Sequence, residues 1–123
     1  MIHLDISTLI DALTGPRRSA AALRRVFEQG LRVHMSTIVL YEWLRGPRRT
    51  AELDDQETLF PRSGAVAFDA EAAATAALLY TRVPRARGRE IDLAIAACAI
   101  VHDATLWTLN RSDFTDIPGL KLQ

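Results

Sequence analysis

The 123-residue sequence has one cysteine, Cys98, and one lysine, Lys121. A single cysteine excludes an internal disulfide and any cysteine-based zinc site. No apolar run approaches the roughly 20 residues that a membrane-crossing helix needs, so no membrane partner is expected. The opening Met1-Ile2-His3-Leu4-Asp5 lacks a basic patch leading into a long apolar stretch, so no secretory signal is read and the expected location is the cytoplasm. There is no excess of either charge: 15 basic residues balance 15 acidic ones. That excludes a protein that coats nucleic acid through overall charge, and any such contact must come from a local patch. The histidines, His3, His34 and His102, lack zinc-ligand spacing and are read as structural or exposed.

What is present is ordinary for a soluble globular chain: 49% apolar and 24% charged residues. The length supports one sizeable core and not two, so residues 1–123 are read as a single domain. The basic set is lopsided, with fourteen arginines. They cluster at Arg17, Arg18, Arg24 and Arg25, at Arg45, Arg48 and Arg49, and at Arg82, Arg85, Arg87 and Arg89. Arginine suits bidentate phosphate contacts. GC-rich coding, which also favours the abundant alanine, and solvated helix faces account for such runs equally well.

Periodicity predicts a strand over 2–6, a helix over 7–13 stopped by Gly15-Pro16, and a helix over 19–29 closed by Gly30. A second strand over 31–35 leads to Ser36 as N-cap of a helix over 37–45. Then follow a helix over 51–60, a short strand over 65–68, and a helix from Ala70 to about Arg82 capped by Asp69. A loop over 84–88 precedes a helix over 89–102, a strand over 105–109 that buries Trp107, and a last strand near Lys121-Leu122. Strands alternating with helices predict an α/β fold with a mainly parallel sheet flanked by helices on both faces. Working sites in such folds lie at the carboxyl ends of the strands.

Four acids fall at such points. Asp5 ends the first strand and also suits the N-cap of the next helix. Glu42 lies beside the apolar Ile38 and Val39 and within pairing reach of Arg45. Asp92 opens an otherwise apolar run to Val101, and it also complements a helix dipole. Asp113 follows the strand after Asn110, and both residues are common turn formers. Each acid alone has a structural explanation. Together, Asp5, Asp92 and Asp113 reach one end of the sheet, and Glu42 can join them. Carboxylates so gathered repel unless protonated or bridged by hard cations such as Mg²⁺ or Mn²⁺.

The segments Ile2–Ile10, Ser36–Gly46, Asp92–Ala99 and Leu106–Phe114 resemble, in order and spacing, the four acidic motifs of PIN-domain ribonucleases, and most closely the VapC-like toxins of type II toxin–antitoxin pairs. The resemblance implies metal-dependent endoribonuclease activity, with Asp5, Glu42, Asp92 and Asp113 holding one or two Mg²⁺ or Mn²⁺ ions. It implies Ser7 and Asn110 as groups behind the ligands or on phosphate, with Asp116 sharing or replacing the part of Asp113. Arg85, Arg87 and Arg89, just before the third motif, are assigned to guiding RNA. The implied partners are an RNA substrate, a cognate antitoxin and a second copy of the chain as homodimer. Tyr41 and Trp43 are candidates for that surface, though core packing is expected of both. The chain departs from the pattern at Ile6, where the family usually has Thr, and at Arg111, one place earlier than is usual.

Other readings remain at this point. A non-toxin PIN nuclease in RNA processing fits the same residues, and so does a catalytically inactive PIN-like RNA- or protein-binding module. A phosphorylated receiver domain is disfavoured: it wants paired acids near the first strand and a lysine near the last strand, and this chain has a single acid there and its only lysine, Lys121, at the very end. A phosphatase wants Asp-x-Asp where this chain has Asp5-Ile6-Ser7.

Overall fold

The computed structural model describes residues 1–123. Strands β1 (Ile2–Leu4), β2 (Val33–His34), β3 (Thr105–Trp107) and β4 (Lys121–Leu122) form one parallel sheet in the order β2-β1-β3-β4. Helices α1 (Ile6–Leu13) and α2 (Ala20–Glu28) connect β1 to β2. Helices α3 (Thr37–Arg45), α4 (Thr50–Leu59), α5 (Ala70–Arg82) and α6 (Glu90–Val101) connect β2 to β3, and a 3₁₀ turn at Arg111–Asp113 follows β3. This is the α/β architecture that the alternation of apolar segments predicts.

The predicted caps hold. Ser36 Oγ accepts a hydrogen bond from the Val39 amide at 3.2 Å, and an Asp69 carboxylate oxygen accepts one from Ala72 at 3.0 Å. Gly30 ends α2 in the left-handed region with φ of 75°, which costs glycine nothing. Helix α6 is the centre of the core: Leu93 to Ala99 are all buried. A helix apolar on all sides must be covered on all sides, and α6 packs against both α5 and β3.

The expected strand over 65–68 is a correction. Only one bridge forms, Ser36 to Val66, with Val66 N–H donating to Met35 C=O and Thr37 N–H to Val66 C=O, each at 2.8 Å. Pairing stops because the Phe68 amide turns to Thr37 Oγ1 at 3.1 Å, and Asp69 then caps α5. The strand expected over 105–109 ends at Trp107. Thr108 Oγ1 accepts the Asn110 amide at 3.0 Å, a side-chain turn that takes the chain out of the sheet. Trp107 is only half-buried there.

The chain leaves β1 towards β2 and leaves β3 towards β4. The carboxyl ends of these two adjacent strands are therefore a topological switch point, where α/β sheets open a crevice.

Candidate active site

Asp5 is the first residue after β1 and stands at that crevice. In the register Leu4 lies beside Trp107, so Asp5 and Thr108 leave the sheet side by side. Asp5 has the backbone of an N-cap, but its carboxylate makes no capping bond. Its Oδ2 instead accepts hydrogen bonds from the Thr108 hydroxyl at 2.7 Å and the Ser7 hydroxyl at 2.9 Å. Ser7 Oγ in turn accepts the Leu109 amide at 3.0 Å. The Asp5 side chain is thus held from the first turn of α1 and from the residue after β3. Its other oxygen, Oδ1, is buried with no partner.

Glu42 projects from α3, which starts where β2 ends. Its Oε1 is also buried and unpartnered, while Oε2 lies 3.7 Å from Arg45. Burial and the nearby Asp5 raise the Glu42 pKa. Asp92 sits half-buried in the first turn of α6, which runs back so that its N-terminus reaches the crevice. Burial, then Asp5 and Asp113, raise its pKa. Asp113 lies exposed on the 3₁₀ turn after β3. The four acids therefore converge on one end of the sheet, with Asp5 acting on the protonation of both Glu42 and Asp92 and Asp113 on that of Asp92.

They do not close into a finished ligand shell: no three His, Cys, Asp or Glu side chains stand close enough to enclose an ion by themselves. The donor set still fits a hard cation. Two buried carboxylate oxygens lack any hydrogen-bond donor, a costly state that a cation relieves. Mg²⁺ typically takes one or two carboxylates and keeps several waters.

The remaining predicted residues fare differently. Asn110 is exposed, and only its backbone amide, bonded to Thr108, joins the network. Asp116 is paired with Arg89 through both carboxylate oxygens. Arg85 and Arg87 are exposed on the α5–α6 turn. Trp43 is fully buried as expected, whereas Tyr41 is 58% exposed, which corrects its assignment to the core. His3 is buried, His34 half-buried and His102 exposed. The residue that sequence reading missed is Thr108. The signal for it was its place as the first polar residue after the apolar Leu106-Trp107, the counterpart of Asp5 after Leu4.

Two apolar grooves are lined by none of the four acids. One of about 310 Å³ runs between α1, α2 and α4, beside Phe27 and Leu59. One of about 460 Å³ runs between α3, α5 and α6, beside Tyr80 and Ile91.

Comparison with known proteins agrees with this architecture. A family model described as PIN domain matches residues 2–120. No curated protein matches the sequence. Among solved structures, the chain is similar to VapBC2 from Rickettsia felis bound to a DNA fragment from its promoter, with a TM-score of 0.77 and 23% identity over 100% of this chain and 98% of that one. DNA-bound VapBC from Salmonella typhimurium superposes with a TM-score of 0.78 and 23% identity over 99% and 96%. A toxin–antitoxin complex from Klebsiella pneumoniae gives 0.74 and 24% over 98% and 95%. With a family match spanning nearly the whole sequence and the acids gathered at the carboxyl end of a β2-β1-β3-β4 parallel sheet, the chain belongs to the PIN domain family.

Proposed function

We propose that the protein is a divalent-metal-dependent endoribonuclease acting in the cytoplasm as the toxin of a toxin–antitoxin pair. The observation that carries this reading is the pair of buried, donorless carboxylate oxygens, Asp5 Oδ1 and Glu42 Oε1, at the mouth of the sheet. Asp5, Glu42, Asp92 and Asp113 would hold Mg²⁺ or Mn²⁺. Such an ion supplies a water of lowered pKa as nucleophile and positive charge opposite the scissile phosphate.

The chain's own residues prepare that site. Ser7 and Thr108 fix Asp5 Oδ2 and leave Oδ1 buried without a donor. Burial of Glu42 and Asp92 keeps their surroundings poor in water, where charge interactions are strong. The exposed Arg85 and Arg87 would meet RNA phosphates; replacing both with Ala weakens RNA binding and lowers its salt slope by about 1 for each phosphate left without its arginine.

A protein partner is supported by the apolar grooves. The α1–α2–α4 groove, with exposed Phe27 and Leu59, Arg24 and the Arg17–Asp55 pair, suits an antitoxin segment of mainly apolar side chains. Exposed Tyr80 and Ile91 in the α3–α5–α6 groove support a homodimer face.

The test compares cleavage of single-stranded RNA by the native chain and Asp92→Asn, with Mn²⁺ and with EDTA. Cleavage only by the native chain with Mn²⁺ is expected. Cleavage that survives EDTA or Asp92→Asn overturns the proposal.

A further inference from the structure

Arg89 stands at the head of α6, three residues before Asp92, with its side chain 20% exposed. Nη1 donates to Asp116 Oδ2 at 2.9 Å and to the Pro84 carbonyl at 3.1 Å. Nη2 donates to Asp116 Oδ1 at 2.7 Å and to the Asp113 carbonyl at 2.8 Å. One guanidinium thus ties the turn before α6 to the turn that carries Asp113. It grips the backbone of Asp113 and leaves the Asp113 carboxylate free to act. The planar fork matches the Asp116 carboxylate with two parallel bonds, an arrangement lysine cannot reproduce.

We infer that Arg89 and Asp116 are positioning residues, a clamp that holds the Asp113 turn against the head of α6 so that Asp113 and Asp92 open onto the same crevice. The inference rests on the reading of those acids as the metal-binding set. It withdraws Arg89 from the RNA-guiding arginines, because both terminal nitrogens are already engaged. It also gives Asp116 a part distinct from that of a fourth acid. Asp113 needs such support. Its turn is a single 3₁₀ turn, exposed from Leu109 to Asp113, and its nearest buried anchor is Phe114.

Charge separates the clamp from RNA guidance. Asp116→Ala removes a negative charge and frees Arg89. Guidance then predicts tighter RNA binding and faster cleavage, whereas a clamp predicts the same loss as Arg89→Ala. The experiment uses the full chain with Arg89→Ala, Arg89→Lys, Asp116→Ala and the Arg89→Ala/Asp116→Ala double variant. Mn²⁺ binding is titrated calorimetrically without RNA. Cleavage of a labelled single-stranded RNA then gives kcat and KM at subsaturating Mn²⁺.

The expected result is a roughly 10-fold weaker Mn²⁺ affinity in each single variant, as for other groups behind metal ligands. The double variant is no worse than either single one, and Arg89→Lys gives no rescue. In each variant kcat falls and KM for RNA holds. Unchanged Mn²⁺ affinity alongside a lower Tm overturns the inference, since that marks a merely structural pair. So does an Asp116→Ala chain that cleaves as well as the native one. If the native chain neither binds Mn²⁺ nor cleaves RNA, it is the nuclease reading that fails. Amide exchange over residues 109–116 then decides the clamp by itself: faster exchange in Arg89→Ala and Asp116→Ala upholds it, and unchanged exchange ends it.

Discussion

Thr108 donates its hydroxyl hydrogen to Asp5 Oδ2 at 2.7 Å, joining residues 103 positions apart at the point where β1 and β3 send the chain in opposite directions. Ser7 Oγ lies 3.2 Å from Thr108 Oγ1 and donates to the same oxygen, so two hydroxyls fix one carboxylate. The family's usual threonine after the first acid is Ile6 here. Ser7 and Thr108 supply hydroxyl support from either side of that position.

Thr108→Val keeps the shape and removes the hydroxyl. The hydrogen bond is charge-assisted and buried, so its loss costs about 2 kcal/mol of stability in EDTA. Freed from one of its two restraints, Asp5 also loses its orientation, and Mn²⁺ affinity falls by about 10-fold. Calorimetric titration and thermal unfolding in EDTA read the two effects separately. Native-like Mn²⁺ affinity in Thr108→Val would show that Ser7 alone orients Asp5.

Asp92 and Glu42 weaken the fold at neutral pH. Both carry raised pKa values, through burial first and Asp5 second. A carboxyl group with a raised folded-state pKa holds its proton more tightly in the native state. The stability this contributes is complete below the ordinary carboxylate range and is lost as pH climbs through the raised value. Asp92→Asn removes the charge permanently. At pH 7 in EDTA it should stabilise the chain by about 1 kcal/mol, roughly 4 °C in Tm, as substitutions of strained site residues commonly do. The same variant should lose the Tm rise that Mn²⁺ gives the native protein. A lower Tm in EDTA for Asp92→Asn would mean that Asp92 serves α6 as a dipole partner and nothing more.

Asp5 and Asp92 stood out because each is a charge at the edge of an apolar segment and Glu42 because it lies beside the apolar Ile38 and Val39, local signals that need no partner to be seen; Asp113, behind Asn110-Arg111-Ser112, was marked only by its place after the strand and by the resemblance. Thr108 carried only the signal of a polar residue after an apolar pair; its tie to Asp5 depends on the register of β1 against β3, which lies outside any one segment. Arg89 looked like one more member of a charge run until the fold brought Asp116 to it. Tyr41 and Trp43 share α3, and which of them faces the core depends on where α6 and the sheet lie. The segment 65–68 has strand-like composition, but the capping of α5 by Asp69 leaves it room for one bridge only. Ser36 and Asp69 were legible as caps because capping is a contact within three residues.

His3 sets an acid limit to the fold. It is buried in β1 with both ring nitrogens unpartnered. Burial, followed by His102, His34 and the N-terminal amine, lowers its pKa from 6.5 to about 4. The His102 ring centroid lies 5.9 Å from that of His3, and His34 is the register partner of His3 across β1 and β2. The native state therefore refuses a proton that the unfolded chain accepts. The stability from the neutral imidazole is complete above pH 6.5 and drains away as pH falls towards 4, on the order of 3 kcal/mol in all. His3→Leu should flatten this part of the stability curve, while Glu42 and Asp92 continue to push in the opposite direction. The difference between native and variant denaturant midpoints at pH 7 and pH 4.5 isolates the histidine, and an unchanged difference would remove it as the cause.

Gly46 is required by a side chain and not by its own backbone. Its φ is −81°, open to any residue. A Cβ there would stand 2.7 Å from Arg48 Nη2 and 2.9 Å from its Cζ. That guanidinium lies 4.3 Å over the ring of buried Trp43, and Arg48 Nε donates to the Trp43 carbonyl at 2.9 Å, closing the end of α3. The clash falls on the far end of a flexible side chain, so Gly46→Ala displaces Arg48 without breaking the backbone. The expected loss is the stacking and one hydrogen bond, about 1 kcal/mol together. Arg48→Ala should cost a similar amount, and the double variant no more than either alone, because both remove the same interaction. Additive losses in chemical denaturation would show that Gly46 and Arg48 act on α3 separately, and that the close approach is not what excludes a side chain at position 46.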